Sequence, residues 1–188
     1  INDYAKNITL DYITNATIGL DNYKKELWEN FKDLELVISM DGIGKLAEYI
    51  RTGLNWEEAK QNIFDYSRYR RERGKSYGVT FLVSIYNIYY LEETIKFFAD
   101  NNVSCYPNYL HEPQWQNIRN LPNNVKQKVK EDCSLPEEII NFMYQEPTQE
   151  FKFCTELKKQ EHRHYLATNK ILDYENTFPE WWNIINEK

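Results

Sequence analysis

Apolar runs rich in β-branched residues alternate with helical patterns along the N-terminal part of the chain. Three such runs predict strands, at residues 8–14, 34–39 and 79–85. After each of them, apolar residues recur every three to four positions, which predicts an amphipathic helix. A further short extended segment is predicted at residues 103–106. Strands that alternate with helices favour parallel βα units, so the predicted class is α/β and the predicted architecture is a partial (β/α) barrel of three to four units.

The helix predicted after the second strand has a clear start signal. Asn55 is a good N-cap residue, and Glu58 lies at the position that completes a capping box. The apolar residues that follow at helical spacing predict its buried face, which consists of Trp56, Ala59, Ile63 and Tyr66.

The composition shifts near Pro107, where prolines begin to separate short helical patterns. A longer helix is predicted from about Thr148 to Leu172, and a last one begins near Phe178. We therefore divide the chain into a barrel part, residues 1–106, and a mostly helical C-terminal extension, residues 107–188. The aromatic residues of this extension are interpreted as packing residues rather than as a ligand platform.

Charge and hydropathy exclude several classes of partner. The formal net charge is −6 and the isoelectric point is near 5.2, which opposes binding to nucleic acid. No apolar run approaches the roughly 20 residues that cross a bilayer, so we expect no membrane segment and a cytoplasmic setting. The chain starts at Ile1 without a start signal and runs almost at once into a strand pattern, so we interpret it as a fragment.

Clusters that resemble metal or phosphate sites have simpler explanations. The three cysteines, Cys105, Cys133 and Cys154, are too widely spaced for a metal knuckle, so we expect ordinary thiols and no metal ligands in this chain. The histidines in residues 161–164 are two positions apart, and on a helix they point away from one another. The arginines in residues 68–73 are interpreted as a solvated helix end rather than a phosphate site.

Polar residues follow all three predicted strands, where parallel α/β proteins build their ligand sites. The strand ends offer hydroxyls, amides, one carboxylate and a nearby arginine, and this set suits a ligand with ribose hydroxyls, an amine and a carboxylate. The candidate binding residues are Thr14, Asn15, Ser39, Asp41, Arg51, Ser84 and Asn87.

Residues 36–42, which end in Ser39-Met40-Asp41-Gly42, are followed ten positions after the aspartate by Arg51. This pattern resembles the fifth-strand region of radical S-adenosylmethionine (SAM) enzymes with SPASM or twitch extensions. Residues 12–17 resemble the fourth-strand Thr-Asn-Gly segment of these enzymes, with Ala16 in place of the usual glycine. Residues 81–87 resemble their sixth strand. The tail is similar to that of the twitch-domain group common in phage and marine bacterial sequences.

The resemblance implies that the chain is the C-terminal half of a radical SAM barrel, whose N-terminal half is missing. It implies SAM as cofactor and a parent enzyme with a [4Fe–4S] cluster, held by a CxxxCxxC loop that this chain lacks. In such an enzyme, a 5′-deoxyadenosyl radical takes a hydrogen from a peptide or small-molecule substrate. By the same resemblance, Thr14 and Ser39 contact SAM and Arg51 meets its carboxylate. Asp41 organises the turn, while Ser84 and Asn87 face SAM or substrate.

Two other functions stay open from the sequence. In the first, the chain is a non-catalytic α/β interaction module, whose polar strand ends are only turns and caps. In the second, it is another barrel enzyme that pairs Asp41 with Glu48 or Glu112 as catalytic carboxylates. The sequence identifies no catalytic residue.

Overall fold

The structure is a computed structural model that describes residues 3–75 and 77–186. Four strands form one sheet in the order β1-β2-β3-β4, and they are β1 (Thr9–Thr14), β2 (Asp33–Ser39), β3 (Gly78–Val83) and β4 (Ser104–Tyr109). All four strands are parallel and alternate with helices. The predicted fold class is therefore confirmed: the chain is an α/β protein with the strand and helix order of a partial (β/α) barrel and a helical tail.

The helices follow the strands and then fill the tail. Those that accompany the strands are α1 (Asn22–Trp28), α2 (Gly44–Ile50), α3 (Trp56–Glu72) and α4 (Leu91–Asp100). Those of the tail are α5 (Asn123–Asp132), α6 (Glu137–Met143), α7 (Phe153–Thr168), α8 (Tyr174–Thr177) and α9 (Pro179–Asn186). Within residues 3–75 and 77–186, none of these helices is both long and apolar enough to cross a membrane.

Contacts between residues divide the chain into two compact units. Unit 1 consists of Ile1–Phe81 with Ile95–Tyr106, and unit 2 consists of Leu82–Thr94 with Pro107–Lys188. The division into two domains at residue 106 stays a prediction. The two compact units do not follow it throughout, because unit 2 contains Leu82–Thr94 as well as the tail.

The core of unit 1 lies between one face of the sheet and helices α1 and α3. Leu34, Leu36 and Ile38 alternate along β2 and are buried on this face, as the two-residue period of a strand requires. The predicted face of α3 is buried against them. Asn55 caps this helix, since its side chain accepts a hydrogen bond from the Glu58 amide at 3.2 Å.

Unit 2 is built around large aromatic side chains from the tail. Phe153, Tyr174 and Trp181 are fully buried, so these tail aromatics pack into a core, as their helical spacing predicts. Helix α7 is shorter than the predicted helix at both ends, since it begins at Phe153 rather than near Thr148 and ends at Thr168 rather than near Leu172. At its C-terminal end, the cap residue Asn169 adopts a left-handed conformation with φ of 55°, which stops the helix.

Candidate functional site

Three residues of the predicted site meet at the carboxyl end of β2. Arg51 Nη2 donates to Ser39 Oγ and to Asp41 Oδ2, both at 2.8 Å, and Arg51 Nε donates to the same aspartate oxygen at 3.1 Å. The side chain of Asp41 is 11% exposed and that of Arg51 is 24% exposed. The cluster is therefore a fixed cation that is still accessible to solvent, held by a carboxylate and a hydroxyl at a strand end.

Local backbone geometry explains why these three residues meet. The amide of Met40 donates to the Thr80 carbonyl at 2.9 Å, which carries the β2 pairing one residue past Ser39. The chain then turns into α2 at Gly42, where a Cβ atom would lie 2.8 Å from Cδ2 of Leu46. Since that distance is too short for real Cβ contacts, glycine lets Leu46 pack closely against the turn. Arg51 follows the end of α2 and reaches back to the strand.

The end of β1 forms a tight polar turn. The hydroxyl of Thr14 accepts from the Ala16 amide at 3.1 Å, and the side chain of Asn15 accepts from the amide and hydroxyl of Thr17 at 3.1 and 2.7 Å. Ala16 itself has a φ of 58°, in the left-handed region that glycine adopts most easily. The turn therefore keeps a glycine-like backbone although alanine occupies the position.

Thr14 does not share a face of the sheet with Ser39. In the parallel pairing of β1 and β2, Thr14 is opposite Ile38, whose side chain is fully buried on the side of the helices. Because successive strand residues point to opposite faces, Ser39 projects from the other side. The structure therefore brings Ser39, Asp41 and Arg51 together but not Thr14, and roles for Thr14 and Asn15 in ligand binding stay predictions.

Ser84 and Asn87 lie in unit 2, where they form a turn. The side-chain oxygen of Asn87 accepts from the Ser84 amide at 2.8 Å, and its side-chain nitrogen donates to the Leu82 carbonyl at 2.7 Å. Asn87 is fully buried and Ser84 is 4% exposed. Both side chains stabilise the backbone here, and their proposed contacts with SAM or substrate stay predictions.

The tail fixes the same turn through two residues that are not among the predicted binding residues. The Tyr174 hydroxyl donates to the Tyr86 carbonyl at 2.6 Å, and Trp181 Nε1 donates to the Ile85 carbonyl at 2.8 Å. The amide of Tyr174 is in turn bound by the Glu161 carboxylate at 2.7 Å. Periodicity marked these aromatics as core residues, but no local signal shows which carbonyls they bind.

The carboxylates of the alternative barrel enzyme have local structural partners. Asp41 pairs with Arg51, and Glu48 accepts from the Trp56 amide at 2.9 Å at the start of α3. Glu112 accepts from the amide of Gln114 at 3.2 Å. These contacts favour capping and charge-pairing roles over catalysis.

The thiols and histidines show no cluster of metal ligands. Burial raises the pKa of Cys105, Cys133 and Cys154 to about 11, so these thiols are protonated at neutral pH. In the part of the chain that the structure describes, no three cysteine, histidine or acidic side chains are grouped as metal ligands. The residues present therefore do not fit an iron–sulfur cluster.

Comparison with protein-family models finds no match, and comparison with curated protein sequences finds none either. Comparison with solved structures finds similarity to native anSMEcpe with bound AdoMet, at 17% identity and a TM-score of 0.45 over 86% of this chain. It also finds similarity to native anSMEcpe with bound AdoMet and a Cp18Cys peptide, at 16% identity and a TM-score of 0.45 over 86% of this chain. The chain spans 38% and 39% of the lengths of these two structures.

Proposed function

We propose that this chain is the SAM-binding C-terminal part of a radical SAM enzyme. In this proposal, the cluster of Ser39, Asp41 and Arg51 holds the amino-acid end of SAM at the carboxyl end of β2. The enzyme then uses the 5′-deoxyadenosyl radical derived from SAM to take a hydrogen from a peptide or small-molecule substrate.

The observation that carries the proposal is the hydrogen-bonded contact of Arg51 with Ser39 and Asp41. These are the residues on which the sequence resemblance depends, and they are twelve and ten positions away from Arg51 along the chain. A guanidinium presents its N–H donors in a rigid planar fork, which suits the recognition of a carboxylate. Asp41 and Ser39 take the donors on Nε and Nη2 and so fix the direction of the fork. The donors on Nη1 are the ones assigned to the carboxylate of SAM.

The proposal places the radical-generating [4Fe–4S] cluster in the parent enzyme and outside this chain. In residues 3–75 and 77–186, the three cysteines are not grouped as metal ligands with one another or with histidine or acidic side chains. A cluster needs deprotonated thiolates that are close to one another. Anaerobic reconstitution of this chain with iron and sulfide is therefore expected to yield no stoichiometric cluster.

Isothermal titration of the chain with SAM tests the binding role. We expect binding to the wild type, and about tenfold weaker binding to Arg51→Lys, which keeps the charge but loses the fork. Ser39→Ala is expected to weaken binding by a smaller factor. The matched control is Arg68→Lys, because Arg68 is an exposed arginine of the same unit whose partner is Asp65.

Thermal melting of each variant separates loss of binding from loss of folding. The proposal is wrong if the wild type does not bind SAM, or if folded Arg51→Lys binds it as well as Arg68→Lys does. Unchanged affinity in Ser39→Ala alone would remove only the contact assigned to Ser39.

A further inference from the structure

Tyr89 of unit 2 has a hydrogen-bonding environment that differs from those of the other tyrosines described above. Its hydroxyl lies 3.2 Å from Asp132 Oδ2 and 3.1 Å from Glu180 Oε1. A phenol has one proton to donate, so two carboxylates share a single donor. Tyr66, Tyr86 and Tyr174 instead donate to carbonyl or amide oxygens, of Ile18, Gln160 and Tyr86 respectively.

The two carboxylates come from different helices that meet at Tyr89. Asp132 is the last residue of α5, and Glu180 lies in the first turn of α9. The other oxygen of Asp132 pairs with Lys128 at 3.0 Å, which leaves Oδ2 to face the phenol. Burial, followed by the nearby carboxylates, raises the pKa of Tyr89, so the phenol keeps its proton at neutral pH.

The ring of Tyr89 also stacks on a buried indole. The ring centroids of Tyr89 and Trp181 are 5.2 Å apart and their planes differ by 8°. Trp181 is fully buried, and its indole N–H donates to the Ile85 carbonyl. A carbonyl is a weak base, so an oxidised Trp181 would keep its proton and its positive charge. The neighbouring tyrosine, which has carboxylate bases, is the easier group to oxidise.

We propose that Tyr89 is a redox-active site, which forms a neutral tyrosyl radical when a one-electron oxidant acts on unit 2. The electron leaves Tyr89 for the oxidant, which is reduced by one electron. The O–H bond of Tyr89 breaks at the same time, and its proton binds to the carboxylate of Glu180 or Asp132.

Trp181 relays the electron hole from the core of unit 2 to Tyr89. The oxidant is a one-electron outer-sphere oxidant, supplied in the experiment below as a metal complex. SAM binding is not required.

Flash photolysis with photo-oxidised tris(bipyridine)ruthenium tests this site. We expect the near-ultraviolet absorption and electron paramagnetic resonance spectrum of a neutral tyrosyl radical in the wild type, and severalfold less radical in Tyr89→Phe. The matched control is Tyr144→Phe, because Tyr144 is an exposed tyrosine of the same unit whose hydroxyl faces the amide oxygen of Gln127. This control is expected to match the wild type.

The double variant Asp132→Asn/Glu180→Gln tests the proton acceptors separately from the ring. Both acidic residues are exposed, so this variant is expected to fold, and circular dichroism checks that it does. Radical formation is expected to be about tenfold slower than in the wild type, since a charge-assisted acceptor is lost. The wild type is also expected to react more slowly in D2O, and the double variant to lose this isotope effect.

Two results would overturn the proposal. One is a radical yield in Tyr89→Phe equal to that in Tyr144→Phe. The other is a double variant that forms the radical at the wild-type rate and with the wild-type isotope effect. That result would mean that Tyr89, Asp132 and Glu180 make only a structural contact between α5 and α9. If Tyr89→Phe does not fold, the rate of radical formation and the isotope effect in the double variant test the proposal.

Discussion

Arg51 donates two hydrogen bonds, from Nε and Nη2, to a single oxygen of Asp41, at 3.1 and 2.8 Å. Both side chains are mostly buried, so neither charge is fully solvated if the other is removed. The pair therefore fixes the turn after β2 as well as the direction of the guanidinium.

Replacing Asp41 should destabilise unit 1. Asp41→Asn is expected to lower the free energy of unfolding by about 1–2 kcal/mol, because a partly buried guanidinium loses its charged partner. The control is Asp65→Asn, whose partner Arg68 is mostly exposed, and its effect is expected to stay within about 0.5 kcal/mol. Urea denaturation measures both values. Equal losses in the two variants would contradict this reading of the Asp41–Arg51 pair.

Gly42 is required by the packing of Leu46. In Gly42→Ala the new Cβ atom would lie 2.8 Å from Leu46 Cδ2, so we expect a loss of about 1–3 kcal/mol of stability. A double-mutant cycle with Leu46→Ala checks the cause. If the clash is the reason, the double variant is less destabilised than the sum of the single variants. Additive losses would show that the cost of Gly42→Ala arises elsewhere.

Trp181 and Trp182 allow the same substitution to be compared at a buried and at a partly exposed position of unit 2. Trp181→Phe removes the donor to the Ile85 carbonyl and leaves a cavity, so we expect a loss of about 2–4 kcal/mol. Trp182 is partly exposed beside Lys158, and Trp182→Phe is expected to cost less than about 1 kcal/mol. Thermal melting followed by circular dichroism compares the two. The reverse order would be inconsistent with the packing described here.

Asp33 should make stability depend on pH in the acid range. The pKa of its carboxyl is lowered by a hydrogen bond from Lys75 at 2.7 Å and by a second one from the Leu34 amide at 2.8 Å. A carboxyl whose folded pKa lies below its unfolded value of 3.8 stabilises the fold above that value, and this contribution is lost as the pH falls through the folded pKa. Urea midpoints at neutral and acid pH are therefore expected to differ less in Asp33→Asn than in the wild type, and an identical pH dependence would contradict this assignment.

The local parts of the fold are predictable from the sequence, because short-range patterns determine them. The alternating residues of β2 and the face of α3 from Trp56 to Tyr66 are buried as the periodicity predicts. The Asn55 cap is also present, since it requires only a side chain and an amide three residues apart.

Other features depend on register and on distant contacts, which a sequence pattern does not contain. Thr14 and Ser39 both end strands, but the pairing of β1 with β2 places them on opposite faces of the sheet. Arg70 was assigned to a solvated helix end, and this is wrong because the residue is 5% exposed. Its neighbour Arg73 does lie at the helix end, where it pairs with Glu29 and stacks on Tyr69.

The hydrogen bonds that Tyr174 and Trp181 donate to the turn after β3 have a consequence for biosynthesis. The carbonyls of Tyr86 and Ile85 receive these donors from residues 88 and 96 positions later in the chain. A ribosome translates the turn long before it translates these partners. Nascent chains stalled ahead of Tyr174 should therefore expose this turn to proteases, and protection should arise only after Trp181 has left the exit tunnel.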